Sequence, residues 1–553
     1  MANTRGVSTS RIKQEESSES DENDISYFED LSYYDSIYSS SEDEESYKVS
    51  DVWKIILPNT DIKHQIFPYT FNAGLSNINL SSNERSIKFY ELFMNEKIIE
   101  YITQQTNVYA AQSLAGKTIS KSCRLRLWKD TNTGEMKKFL GLLLWMGLVK
   151  YPKLSDYWST HPIYKNDIAP QTMSRNRFEL LLSMWHFSNN EEGNGDQLHK
   201  INSLKDMLEE LYQYYNIPGE YLCIDETIVP FRGQLSFRQY MRRKRHKYGV
   251  KLYKIADTTG YTYSIQIYKG KSEGSQGNVS LSTDIVLKLG EKYLGEGRTF
   301  TTDNYYTSIE LAEHLLERST HLIGTLRTNR KRIPKEVVNK KLSQNEIIGM
   351  HNEKGIVVAK WKDKRDVLML STKHATEITS IGKKNYKQEE IFKPKIVQDY
   401  NIGKTGIDLS DQYSSYSSAV RKSVKWYRKV AMELIFGTTV VNAHIIYNKI
   451  ADKKVSITTF REFLVESLLN CDKSHQKPAA RNPKKHTLET VRDVDKRNRK
   501  LRKRCASCYA KNREKFGSRK ADKASVTPRV ASYCAQCPGK PAMCASCFVN
   551  MHE

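Results

Sequence analysis

The sequence predicts an α/β domain with a β-rich insertion, set between two mostly helical segments and followed by a small cysteine-rich module. Three observations predict it. Apolar residues recur at helical spacing up to about residue 218 and again beyond Gly406. Between Glu220 and Arg327 the period changes to strand-like alternation broken by turns. Six of the nine cysteines fall in the last 49 residues, as three C-x-x-C pairs.

Composition sets the bounds. A chain of 553 residues is too long for one core, and 39% hydrophobic with 27% charged residues suits a soluble multidomain protein. The longest apolar run, Phe139 to Val149, has 11 residues, far short of the roughly 20 that span a bilayer. The opening MANTRGVSTSRIKQEE has no apolar core after its basic residue, so neither a membrane nor an exported protein is expected. Net charge is +23, unevenly spread: residues 1–51 hold 14 Asp+Glu against 4 Lys+Arg, leaving 83 Lys+Arg against 50 Asp+Glu elsewhere. A tyrosine-rich body this basic points to a polyanionic partner, of which nucleic acid is the commonest.

Residues 1–51 are acidic, Ser-rich and poor in aliphatic side chains, and should stay disordered. Residues 80–219 read as helical, with Phe139, Leu142, Leu143 and Met146 forming one apolar stripe and Arg177–Phe187 and Leu204–Tyr215 repeating it. In EYLCIDETIVPF, Leu222 and Ile224 share one face and Cys223 and Asp225 the other. A hairpin follows around Asp257-Thr-Thr-Gly260, then a helix from Ser282, the strand RTFTTD ending at Asp303, a helix from Ser308 and the strand HLIGTLR. Strand, hairpin, helix, strand, helix, strand is the order of an RNase H-like α/β domain. It would occupy 220–328 and resume at 393–416, with GIVVAKWKD and RDVLMLST forming a β-pair in the inserted 329–392. Helical spacing returns over 417–470 through Trp426, Val430, Leu434, Val441 and Ile445. Residues 473–504 form a basic linker into the cysteine-rich 505–553.

Four carboxylates stand out by context. Asp225 and Asp303 each end an apolar strand, and Asp408 and Asp411, three apart, share one face at the start of a helix. If the two strands are neighbours, their aspartates emerge at one sheet edge, where sites of open α/β sheets form. Gathered carboxylates would repel unless a hard divalent cation neutralised them, Mg²⁺ being the natural one and Mn²⁺ its substitute. Two such ions suit phosphodiester chemistry. The competing reading makes each aspartate a turn or cap residue. The pairs Cys505/Cys508, Cys534/Cys537 and Cys544/Cys547, in a chain without an export signal, suggest zinc rather than disulfides.

The segments IDETIVPFRGQLSFRQYM, HKYGVKLYKIADTTGY, TTDNYYTSIELAEHLLE, IGTLRTNRKRIPKE, KTGIDLSDQYSSYS and PGKPAMCASCF closely resemble, in order, the motifs of the piggyBac family of DNA transposases. The likeness covers roughly residues 80–470 and the tail. It implies a catalytic triad at Asp225, Asp303 and Asp408, with Asp411 supporting metal binding. It also implies excision through hairpin transposon ends, integration at TTAA sites, and a dimerisation and DNA-binding domain made by 80–219 and 417–470. Arg327 and Arg330 match basic positions linked to target DNA. Arg242, Arg243, Lys244 and Arg245, in a run more basic than the family pattern, are candidates for a phosphate backbone or a nuclear localisation signal, as is 496–504. The cysteine module resembles a cross-brace that holds two zinc ions, with His552 and His486 completing the eight ligands. The expected protein is a nuclear, dimeric transposase acting on double-stranded DNA. The alternatives are a domesticated, non-catalytic DNA-binding protein or a chromatin reader built on the zinc module.

Overall fold

The computed structural model describes residues 51–553 except 58–61, 63, 116–122, 194, 243, 245, 271–278, 385–387, 422, 470–485, 496, 538 and 553. The expectations for the acidic tail, and for Arg243 and Arg245, lie outside the described residues. Ten strands form one mixed sheet: β1 (Lys54–Ile55), β2 (Tyr221–Pro230), β3 (Gln239–Tyr240), β4 (Tyr248–Asp257), β5 (Thr262–Ile267), β6 (Thr299–Thr302), β7 (His321–Thr325), β8 (Ile347–His351), β9 (Val357–Lys362) and β10 (Asp366–Ser371). Their spatial order is β1-β8-β9-β10-β7-β6-β2-β4-β3, with β5 paired to β4. β2, β6 and β7 run parallel, and the other pairings are antiparallel.

The pattern explains the order. β2 and β4 are long apolar strands joined as an antiparallel pair from Leu222↔Asp257 to Pro230↔Gly249. The hairpin turn follows at Asp257, whose carboxylate accepts the Thr259 and Tyr261 amides at 2.8 and 3.1 Å. β6 and β7 must arrive in parallel, and a helix precedes each of them: α6 (Leu281–Gly290) and α7 (Ile309–Leu316). α7 is capped by Ser308, which accepts the Leu311 amide at 3.1 Å. β9 and β10 are the strand pair expected within 329–392, and β10 hydrogen-bonds to β7, so this segment lengthens the central sheet.

The first helical segment holds α1 (Ser86–Glu91), α2 (Glu96–Leu114), α3 (Thr133–Leu148), α4 (Arg175–Met184) and α5 (His199–Tyr215). Asn95, Asn132 and Ser174 cap α2, α3 and α4. After the sheet come α8 (Lys395–Gly403), α9 (Thr405–Ser415), α10 (Trp426–Met432), a π-turn at Glu433–Thr438, α11 (Thr439–Ile450) and α12 (Ile457–Leu468). Trp426–Ile450 is one continuous helical run, long and apolar enough to cross a membrane, but 94% buried inside the protein. It is therefore a core helix, and both helical segments and the sheet contribute to one apolar core. Two buried polar contacts stitch them together: Tyr212 to Thr439 at 2.7 Å and His186 to Tyr427 at 2.9 Å.

Candidate active site and metal centres

β2 and β6 pair in parallel up to Ile224↔Thr302. Asp225 and Asp303 are therefore the next residues on adjacent chains where that pairing stops. Asp303 follows the end of β6, but β2 runs on to Pro230 against β4, so Asp225 lies mid-strand and not at the strand end expected from the sequence. Glu226 donates its amide to Asp225 Oδ1 at 2.7 Å, and Tyr305 donates its own to Asp303 Oδ1 at 2.9 Å. α9 brings the other two carboxylates onto the face of β2 that carries Cys223 and Asp225. It approaches so closely that a Cβ at Gly406 would stand 2.3 Å from the Asp257 carbonyl oxygen. Cys223 donates to the Lys404 carbonyl at 3.3 Å, and Thr227 donates to Asp411 Oδ1 at 2.6 Å. Asp408 is exposed on the first turn of α9 and Asp411 is half-buried.

The electrostatics are those of gathered acids. Burial, then the Glu226 charge, raises Asp303 to about 6, against the Tyr305 amide, Arg327 and Lys244. Burial and Glu226 also push Asp225 well above the usual carboxylate range, with Asp303 adding to the shift and Lys244 opposing it. Partial desolvation raises Asp408, with Asp411 adding and Lys244 opposing. Lys244 is thus the cation common to all three aspartates. Its ammonium donates to the Glu226 carbonyl at 2.9 Å. Burial lowers the Lys244 ammonium, but the charges of Asp225, Glu226, Asp411 and Asp408 outweigh that and raise it well above the ordinary lysine range.

The arginines also turn inward. Arg327 donates to the Asn304 side chain at 3.3 Å. Arg330 donates to the Asn304 carbonyl at 3.1 Å and to the Tyr305 carbonyl. Both grip the loop that follows Asp303. Arg242 is exposed.

Several site residues escaped the sequence reading. Glu226 is buried on the opposite face of β2 and accepts the Tyr306 hydroxyl at 3.0 Å. Lys251 lies over the Tyr253, Tyr268 and Tyr305 rings at 4.8, 5.2 and 5.4 Å. Lys254, paired across the ladder with Asp225, reaches Asp411 and Glu433. The available signal was two lysines inside the otherwise apolar strand YGVKLYKIAD, since buried lysines need acidic partners.

Two further clusters lie in the cysteine-rich segment. Cys505, Cys508, Cys544 and Cys547 form one, and His486, Cys534, Cys537 and His552 the other, each with ligand atoms within 4.8 Å of one another. Sulfur–sulfur separations of 3.4 to 3.8 Å in the first match the edge of about 3.8 Å that a zinc tetrahedron with 2.3 Å bonds requires. In the second, histidine nitrogens lie 3.1 to 3.6 Å from the sulfurs. His552 Nδ1 is 2.8 Å from the Phe548 carbonyl, which fixes that nitrogen as the donor and leaves Nε2 for a metal. In chain order the two sets interleave. The aspartates are set more openly: among the described residues only these two Cys/His sets gather so tightly.

Comparison with known proteins adds three findings. The Transposase IS4 family matches residues 85–444, more than half of the chain. The chain is 26% identical over 440 residues to PiggyBac transposable element-derived protein 3 of Homo sapiens, covering 76% of this chain and 71% of that protein. PiggyBac transposable element-derived protein 2 of Homo sapiens is 25% identical over 461 residues, with 78% and 74% covered. A cryo-EM structure of a piggyBac transposase synaptic complex with hairpin DNA is similar at a TM-score of 0.63 and 25% identity, covering 74% of this chain and 85% of that one.

Proposed function

The chain belongs to the IS4-type transposase family, in its piggyBac group, and on that premise we propose that it is a cut-and-paste DNA transposase. The observation that carries this is the placing of Asp225 and Asp303 side by side just past the last pair of the parallel β2–β6 ladder, with α9 packed on the face of β2 that carries Asp225 and Asp411 held there by Thr227. The domain reading is that an RNase H-like core (220–328 and 393–416) with an insertion (329–392) carries the chemistry. The helical segments 80–219 and 417–470 serve dimerisation and DNA binding.

The donor set fits Mg²⁺ or Mn²⁺: all its oxygens are hard, and Asp225, Asp303 and Asp408 are all raised despite the cations around them. Asp225, Asp303 and Asp408 would hold two ions. Such ions activate a water or 3′-hydroxyl and stabilise the leaving oxygen. The chain's own residues supply the frame. Backbone amides of Glu226 and Tyr305 fix the first two carboxylates, Thr227 orients Asp411, and Arg327 and Arg330 brace the loop after Asp303. Hydrolysis at a transposon end, hairpin formation, reopening and joining at TTAA need no protein nucleophile.

The Cys/His sets fit two zinc ions, and the interleaved ligands give a cross-brace that would present the basic 473–504 linker and its own surface to DNA. Double-stranded DNA, a homodimer and the nucleus complete the reading. The human relatives are transposable element-derived proteins, which favours a second reading, a domesticated non-catalytic DNA-binding protein. Excision from a reporter carrying the element's own ends separates them. Excision that Asp225→Asn abolishes supports the transposase; no excision from matched ends, with end binding intact, supports the domesticated protein.

A further inference from the structure

Lys254 Nζ is fully buried and has no hydrogen-bond partner within reach. It stands between two carboxylates, Asp411 Oδ1 at 3.5 Å and Glu433 Oε1 at 3.6 Å. Glu433, also buried, opens the π-turn of the long core helix and accepts the Ser414 hydroxyl at 3.0 Å from α9. The turn leaves no room beside it: a Cβ at Gly437 would stand 2.6 Å from Glu433 Oε1. Arg461 Nη1 holds the same turn through the Phe436 carbonyl at 2.7 Å. Both tethers of Asp411, from Thr227 and Lys254, fall on Oδ1, leaving Oδ2 clear of them.

A buried lysine is a costly way to fill a strand position, because its desolvation is only offset when partners are well placed. An apolar side chain would serve the core of β4 at least as well. What Lys254 adds is a fixed charge linking three elements that are distant in sequence. π-turns interrupt helices at functional positions more often than elsewhere. We infer that Lys254 is a positioning residue. It ties Asp411, and with it the metal-facing turn of α9, to the π-turn of the helix that runs through the flanking helical segment.

This inference rests on the reading of the aspartates as a divalent-ion site. It is tested on the full, zinc-loaded chain by titrating Mn²⁺ and counting free ion by electron paramagnetic resonance. The Asp225→Asn/Asp303→Asn variant defines the signal: if it takes up Mn²⁺ as the wild type does, the site reading itself fails, whatever Lys254 does. Given wild-type uptake that this variant loses, Lys254→Met should raise the Mn²⁺ half-saturation about tenfold, the lower end of what losing an outer-layer partner costs a metal site. Lys254→Met/Glu433→Gln leaves no unpaired charge on Lys254 or Glu433. Because it also removes the carboxylate facing buried Arg461, its uptake is measured below its own melting midpoint, where it should show the same tenfold rise; that decides the matter if the single variant folds poorly. Unchanged half-saturation in the double variant overturns the proposal. Tighter binding overturns it too, because Lys254 would then be a counter-charge competing with the ion.

Discussion

The carboxylate centre and the Cys/His module, both proposed to hold cations, are held together in opposite ways. Asp225, Asp303, Asp408 and Asp411 are carried by a sheet and helices whose shared core is a large apolar cluster that includes none of them. Lys244 offsets their mutual repulsion. The module has little else. Among the described residues of 486–552 only Cys505, Ala521, Thr527, Cys534, Met543 and Cys547 are buried, so half of its small interior is the ligands themselves. An ion should therefore be dispensable for the fold at the first site and indispensable at the second.

The largest expected effect breaks the comparison at its sharper end. Zinc binding supplies about 10–16 kcal/mol to small finger domains. Chelation or Cys505→Ser should therefore abolish amide-exchange protection across 486–552 while leaving β2, β4 and β6 unchanged. Protection surviving there would mean the module has a core of its own. Next, Asp225→Asn, Asp303→Asn or Asp408→Asn should each cut nicking of matched transposon ends by roughly a thousandfold, about 4 kcal/mol, with no fall in the melting midpoint. An equal fall in stability would make these residues structural.

The third prediction follows from the carboxyl group raised to about 6 at Asp303. A folded-state acid raised above its unfolded value of 3.8 costs stability when ionised. That cost is fully present above pH 6, shrinks as pH falls from 6 to 3.8 and is gone below that. In metal-free protein at pH 7.5, Asp303→Asn should accordingly stabilise by on the order of 2 kcal/mol, read by denaturant unfolding, and the gain should vanish by pH 4. Divalent-ion uptake should run the other way, weakening below about pH 6 as the carboxylates protonate. The smallest effect concerns Arg330. Because it holds the Asn304–Tyr305 backbone, Arg330→Ala should slow nicking about tenfold, some 1.4 kcal/mol, with DNA affinity within about twofold. A fall in affinity alone would restore it to the DNA surface.

Much of this was readable from local pattern. Asp303 follows a short strand whose turn signal fixed its place, whereas Asp225, read as a strand end, lies in the middle of β2 because the apolar run continues to Pro230. The C-x-x-C spacing announced a metal. What stayed hidden depended on contacts between distant segments. Arg327, Arg330 and Lys244 look like free phosphate-binding cations in sequence, yet each folds back on the acidic end of the sheet. Glu226 sits beside Asp225 but on the other face of β2, so alternation hid its nearness to Asp303. Lys254 and Glu433 have no local signature, because a pair 179 residues apart (433 − 254) is joined only once β4 and the core helix pack. The union of β10 with β7 was hidden for the same reason: an apolar strand does not say which edge it will cover.

The central claim is that Asp225, Asp303 and Asp408 hold divalent cations at one end of the sheet. Fe²⁺ with ascorbate, applied to the zinc-loaded chain, cuts backbone near bound iron and so reads that location directly. Cuts close to residues 225, 303 and 408, suppressed by Mg²⁺ and lost in Asp225→Asn/Asp303→Asn, are the predicted result. An uncut chain, or cuts elsewhere that Mg²⁺ leaves untouched, would contradict it.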